Sequence, residues 1–188
     1  VLINDLKTKP YDGFYHDSYE VLLYEFKHTL NQYLSQLPNP LNALTLEKII
    51  QFNKVNHNKE MPYFQQEIFE KSQAKGNLNE KAYLTALKKI QQATRKDGID
   101  QFIKKHNLDA IIGVTLSPAW SIDRINGDHY TGGFTSYPAI AGYPHITIPM
   151  GKVHNMPVGL SLTNLALTEK QLIDIAYQVE QIIDYQYE

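Results

Sequence analysis

The chain has 188 residues, 43% of them hydrophobic, which suffices to bury one substantial core, and a single domain over residues 1–188 is the expectation. Its 18 basic and 20 acidic side chains leave a formal charge of -2, so no strong field favours nucleic acid or an anionic membrane surface. Only Arg95 and Arg124 carry the planar fork that suits phosphate, and the lack of cysteine excludes disulfides, thiolate zinc sites and cysteine nucleophiles.

The region 18–106 reads as helical. From Ser18 to Leu37 the residues Leu22, Phe26, Leu30, Tyr33 and Leu37 recur at intervals of four and three, one face of a helix, which Pro38-Asn39-Pro40 then stops. Thr45 is placed to cap a second helix with Leu46, Ile49, Ile50 and Val55 inward, and Pro62 to open a short third one. After Gly76-Asn77, Asn79 can cap a helix through Gln92 that buries Tyr83, Leu84, Leu87 and Ile90, and Asp97 to His106 reads as another.

The region 108–163 is rich in strands and loops. Ala110-Ile111-Ile112-Gly113-Val114 is a short apolar run of branched residues and reads as a buried strand. Ser117 to Gly142 is long, aperiodic and rich in Gly, Ser, Pro, Thr and Tyr, which marks it as the place to look for ligand contacts. Two more strands, His145 to Ile148 and Val158 to Thr163, are joined by a turn around Gly151 to Pro157. A closing helix at 168–186 starts with a Thr168/Gln171 capping box and carries Leu172, Ile175, Ala176, Val179, Ile182 and Ile183. Helices, then strands with irregular loops, then a helix make an α/β chain in which a few strands of a mixed sheet pack with helices. Three strands make a thin sheet, whose edges would be unpaired in this chain alone, so self-association is an expectation.

Several patterns occur in an order that resembles amidase-signature enzymes. LDAIIGVTLSPAW (Leu108 to Trp120) is similar to that family's Leu-Asp-Ala strand and following loop, and Ser136 to Pro144 resembles its small-residue helix and Gly-x-Pro turn. ITIPMG (Ile146 to Gly151), MPVGLSLT (Met156 to Thr163) and Glu169 to Glu180 resemble two more strands and a closing helix. LLYEFKHTLNQYL (Leu22 to Leu34) and NKEMPYFQQE (Asn58 to Glu67) fit the branch of peptide amidases and broad-specificity amidases. The resemblance runs from about Tyr19 onward.

It implies the C-terminal portion of the amidase-signature fold and, for the intact enzyme, hydrolysis of carboxamides to carboxylates and ammonia without cofactor or metal. The family's nucleophilic serine, its cis-bonded serine and its lysine lie upstream of the aligned part, so no catalytic residue is carried over and the chain alone is expected to be inactive. A small amide or peptide-amide substrate and the N-terminal part of the same polypeptide are the expected partners. The start at Val1 rather than Met is read as a missing natural N-terminus. Two rival readings are the amidase subunit of a tRNA-dependent amidotransferase and a binding domain that kept such a fold without chemistry.

Trp120, Asp123, Tyr130 and Phe134 are the expected substrate-binding residues, since the resembling region helps enclose substrate and since aromatic walls with a few polar groups suit a ligand pocket; ordinary packing is the competing reading. Gly132-Gly133-Phe134-Thr135-Ser136 lacks paired serines, and Tyr137 stands where a Gly-x-Ser-x-Gly elbow needs glycine, so Ser136 is read as structural or substrate-facing rather than as a nucleophile. His129, His145 and His154 fit no metal-ligand spacing, and loop polarity explains Asp123, Asp128 and His129 as well as a metal would. Glu25 is either an exposed charge or a buried, paired one; Gly142, Pro144 and Gly159 are turn formers or points of close approach. No apolar run reaches the roughly 18 residues of a membrane span, no signal pattern opens the chain, and a cytoplasmic location is the expectation.

Overall fold

The computed structural model describes Thr8 and residues 10–183 and divides the chain into two compact units, Asp12–Lys89 and the part from Ile90 onward. The first unit is helical: α1 (Phe14–Ser35), α2 (Leu46–Val55), α3 (His57–Glu60), α4 (Glu67–Gln73) and most of α5 (Lys81–Thr94). Gly13, at φ 89, turns the chain into α1 in a left-handed conformation that costs glycine little. The Thr45 side chain accepts from the backbone N–H of Lys48 and caps α2 as expected.

Polar side chains tie these helices together. The Lys27 ammonium donates to the carbonyls of Gln73 and Lys75 at the end of α4, where orphan carbonyls and the negative end of the helix dipole favour a cation. Glu25 is half-buried and accepts from the Tyr83 hydroxyl at 2.8 Å, which settles it as a paired charge. Burial, together with that bond, pushes the Tyr83 phenol up to about 12. Lys27→Met keeps the stem but strands the carbonyls, and it is expected to lower stability by about 1–2 kcal/mol. Urea unfolding followed by helical circular dichroism checks this; an unchanged midpoint would refute the cap.

Several inward positions differ from the sequence expectation. Phe14, Val21, Leu23, Tyr24 and Leu34 are the buried residues of α1, whereas Leu22 and Tyr33 are exposed at 50% and 61%. Apolar side chains cover most of this helix's circumference, so periodicity alone does not choose the stripe, and the hydroxyl of Tyr24, bonded to Glu80 at 2.6 Å, helps select the other face. Val55 and Leu84 are likewise exposed. Pro62 opens no helix: it lies in a bend after α3, and α4 starts at Glu67.

In the second unit α5 runs into a π turn at Arg95–Ile99 and then α6 (Asp100–His106). Gly98 interrupts the helical path there, and a Cβ on it would stand 2.7 Å from the Ala93 carbonyl oxygen. Strand β1 (Ile111–Val114) follows, then the long loop, α7 (Ser136–Ala141), β2 (His145–Val153), β3 (Met156–Thr163) and α8 (Glu169–Ile183). Residues 184–186 of the expected closing helix lie outside the described residues. The sheet order is β1-β3-β2 with both pairings antiparallel. His154 and Asn155, both at positive φ, form the two-residue turn that a twisted hairpin needs. Register puts Leu162 opposite both Ile112 and Ile146, and Ser161 opposite both Gly113 and Thr147.

The period of two splits the strands between two cores. On one face Ile148 and Leu162 pack with Leu172 and Ala176 of α8; on the other Ile111 joins Ile99, Ile103 and Ala141. The Thr168 hydroxyl does not cap α8 but donates to the Leu165 carbonyl at 2.7 Å, a local bond open to any Thr in a turn. No helix of the described residues is long and apolar enough to cross a membrane.

Candidate functional site

The polar residues of the second unit gather on the sheet face opposite α8. His145 and Thr147 on β2, Ser161 on β3 and Thr115 just past β1 share this face through the antiparallel register. Ser161 Oγ is the hub: it lies 2.7 Å from His145 Nε2, 2.8 Å from Thr115 Oγ1 and 3.4 Å from Thr147 Oγ1. Thr115 in turn donates to Thr147 at 3.3 Å. Ser161 is fully buried, while His145 and Thr147 are exposed.

Glycine lets the side chains on this face close in. A Cβ at Gly159 would come 2.6 Å from Thr147 Cγ2 and 2.8 Å from Thr115 Oγ1, so any side chain there pushes the hydroxyls apart. Gly113 gives room to the Phe134 ring, which would stand 2.9 Å from an added Cβ. Both glycines are points of close approach.

Partial burial pushes the His145 pKa below the ordinary histidine value. The unfolded chain then takes up a proton below about pH 6.5 that the folded chain resists. The stability contributed by neutral His145 is therefore complete above the unfolded pKa and is lost as pH falls from there through the lowered folded pKa. His145→Gln keeps an Nε2 donor for Ser161 and removes the titration, so its urea midpoint is expected to fall less than that of the parent between about pH 7.5 and about pH 5. Parallel curves for the two proteins would refute a lowered His145 pKa.

The long loop behaves differently. Asp123 closes a local turn, its carboxylate accepting from the backbone N–H groups of Ile125 and Asn126 and from the Asn126 amide at 2.8 Å. Those donors, the Asn126 backbone first, hold its carboxyl below the usual value. The Trp120 indole N–H donates to Asp128 at 3.2 Å, and Tyr130 is 56% exposed. Phe134 is drawn inward, half-buried against the cluster of Ile99, Ile103, Ile111 and Ala141, with its backbone N–H bonded to β1 at Val114. Three of the four expected residues thus sit on the loop, and the fourth roots the loop's end in the core.

Ser136 stands exposed at the start of α7, and among the described residues no base is hydrogen-bonded to it. His129 lies 4.0 Å from Asp123, His145 is bonded to Ser161, and His154 is in the hairpin turn. In the helical unit a cleft of about 350 Å³ is lined by Lys54, His57, Met61 and Glu70 among others. Its buried Gln66 is satisfied by Asn53 and the Ile50 carbonyl, and its Lys54–Glu70 pair is solvated.

No protein-family model matches the chain. A probable amidase of Arabidopsis thaliana is 34% identical over 163 residues, which are 85% of this chain and 28% of that protein. One component of the glutamyl-tRNA(Gln) amidotransferase of Cellvibrio japonicus is 32% identical over 109 residues, 55% of this chain and 22% of that polypeptide. Among solved structures, the peptide amidase PAM in complex with the competitive inhibitor chymostatin superposes with a TM-score of 0.86 at 34% identity, covering 95% of this chain and 36% of that one. The chain spans between 22% and 36% of the lengths of these proteins.

Proposed function

Because the chain belongs with the amidase-signature proteins and matches a C-terminal part of them, we propose that it serves a protein that hydrolyses carboxamides to carboxylates and ammonia. In this reading the 188 residues complete the sheet and shape the substrate pocket, and the catalytic hydroxyl and its base come from another part of the same polypeptide. Its main support is the superposition on the peptide amidase PAM over 95% of the chain at 34% identity.

The polar groups of the chain support the division of labour. A nucleophile has to meet a carbonyl carbon at about 3 Å. Ser161 has an imidazole at 2.7 Å but is sealed from solvent, and its proton is committed to Thr115. Ser136 is accessible and has no base hydrogen-bonded to it among the described residues. Trp120, Asp123 and Tyr130 then act from the loop as pocket walls, with Phe134 as its anchor. Ile112, Val114 and Leu116, more than two-fifths exposed along and just past the outer strand β1, are the surface that the remainder of the protein covers, and the chain alone is expected to self-associate through it.

The amidotransferase reading has its own support in the 109 matched residues. The peptide-amidase reading is favoured because its likeness includes the helical first half as well. Ammonia release by the full gene product separates them: a C-terminal peptide amide is expected to be cleaved in preference to glutamine. Release from glutamine alone would move the protein to the amidotransferase reading, and release from neither would leave a binding domain without chemistry.

A further inference from the structure

We propose that the hydroxyl cluster around Ser161 is a directed hydrogen-bond array whose two open ends, the Nδ1 lone pair of His145 and the hydroxyl proton of Thr147, together recognise a neutral carboxamide group. Counting protons gives the array its direction. Ser161, Thr115 and Thr147 carry one hydroxyl proton each. Ser161 donates its proton to Thr115, and Thr115 donates its own to Thr147. Ser161 Oγ then has nothing left to give His145, so the 2.7 Å contact between them requires His145 Nε2 to be the donor.

A neutral imidazole has one N–H, so the other nitrogen, Nδ1, is left as an acceptor. No described residue hydrogen-bonds to it. The Thr147 proton has only a 3.4 Å approach to Ser161 Oγ, an oxygen that already accepts from His145. A well-placed carbonyl oxygen at about 2.8 Å would displace so long a contact. One end of the array therefore accepts and the other donates.

Of the groups that amide hydrolysis involves, carboxamide, carboxylate and ammonium, these ends match the carboxamide. His145 and Thr147 are two apart on β2, hence on the same face and about 6.6 Å apart along the strand. A primary carboxamide offers an N–H to the acceptor and a carbonyl oxygen to the donor. A carboxylate has no N–H for His145, and an ammonium has no acceptor for Thr147. Gly159, bare of side chain between Thr115 and Thr147, lets their two hydroxyls close to 3.3 Å and so completes the array. The ligand class rests on the amide-hydrolase reading; the direction of the array does not.

The test uses the 188-residue chain labelled with 15N in its histidines and backbone amides. Long-range imidazole correlations at about pH 7.5 are expected to place the His145 proton on Nε2. Titration with acetamide is expected to shift His145 Nδ1 and the Thr147 amide, while acetate moves neither. Ser161→Ala and Thr147→Val, each checked for a dispersed amide spectrum, are expected to reduce the acetamide response at least about fivefold. A proton on Nδ1 in the parent, an acetate response equal to that of acetamide, or an unchanged response in both variants would overturn the proposal. Ammonia release by the full gene product alongside any of those results would leave the hydrolase reading standing alone; a positive array without ammonia release would do the reverse.

Discussion

Leu162→Ala is expected to destabilise the sheet unit by about 3 kcal/mol, more than any other single truncation in that unit. Leu162 is fully buried near the end of the central strand, opposite Ile112 on one side and Ile146 on the other, and it packs with Leu172 and Ala176 of α8. Truncation removes both its transfer energy and the contacts of the lining atoms, and a residue held by two neighbouring strands gives the site little freedom to collapse. Urea unfolding of the variant, followed by near-ultraviolet circular dichroism and by the amides of β3, measures the loss. A change below about 1 kcal/mol would mean that α8 does not seal this face.

Gly159→Val is the second large effect, and it acts on the opposite face. The new side chain would meet Thr147 and Thr115 at distances that real Cβ atoms do not hold. Either the hydroxyls separate or β1 moves off β3, at a cost of about 2 kcal/mol typical of overpacking. The distinguishing result is spectroscopic: the His145 ring is expected to lose its single tautomer, since the shift of Thr115 breaks the chain that commits the Ser161 proton. Gly113→Ala meets the Phe134 side chain first and is expected to cost less. Equal effects at the two glycines would show that the face is merely crowded rather than organised around its hydroxyls.

The helices and strands are legible in the sequence because their periods are local. The expected strands Ala110 to Val114, His145 to Ile148 and Val158 to Thr163 all fall within observed strands except for Ala110, while Ile112 and Val114, expected to be buried, are exposed. The hydroxyl array is not legible, because it depends on which residues the register sets opposite one another. Thr115, Thr147 and Ser161 are 46 residues apart at the extremes and read singly as ordinary strand residues. A signal does exist in the alternation of polar residues at His145 and Thr147 and at Ser161 and Thr163, but it points to a face, not to a partner. The long loop is recognisable by its lack of periodicity, while the inward path of Phe134 depends on the bareness of Gly113, a tertiary fact.

The stripe on α1 fails for the same reason at a larger scale. Leu22 and Tyr33 have the spacing of core residues, yet the hydrogen bonds of Tyr24 to Glu80 and of Tyr83 to Glu25 fix the helix with another face inward. Periodicity reports that a helix has an apolar side; partners decide which side when more than one qualifies.

If these residues shape and hold an amide substrate while the bond-breaking groups lie outside them, the chain by itself cannot turn an amide over. Ammonia release from a C-terminal peptide amide by the purified 188-residue chain, run beside its Ser136→Ala and Ser161→Ala variants, decides the matter. Release no greater than the protein-free blank is expected from all three. Release by the parent chain that disappears in either serine variant would contradict this division of roles.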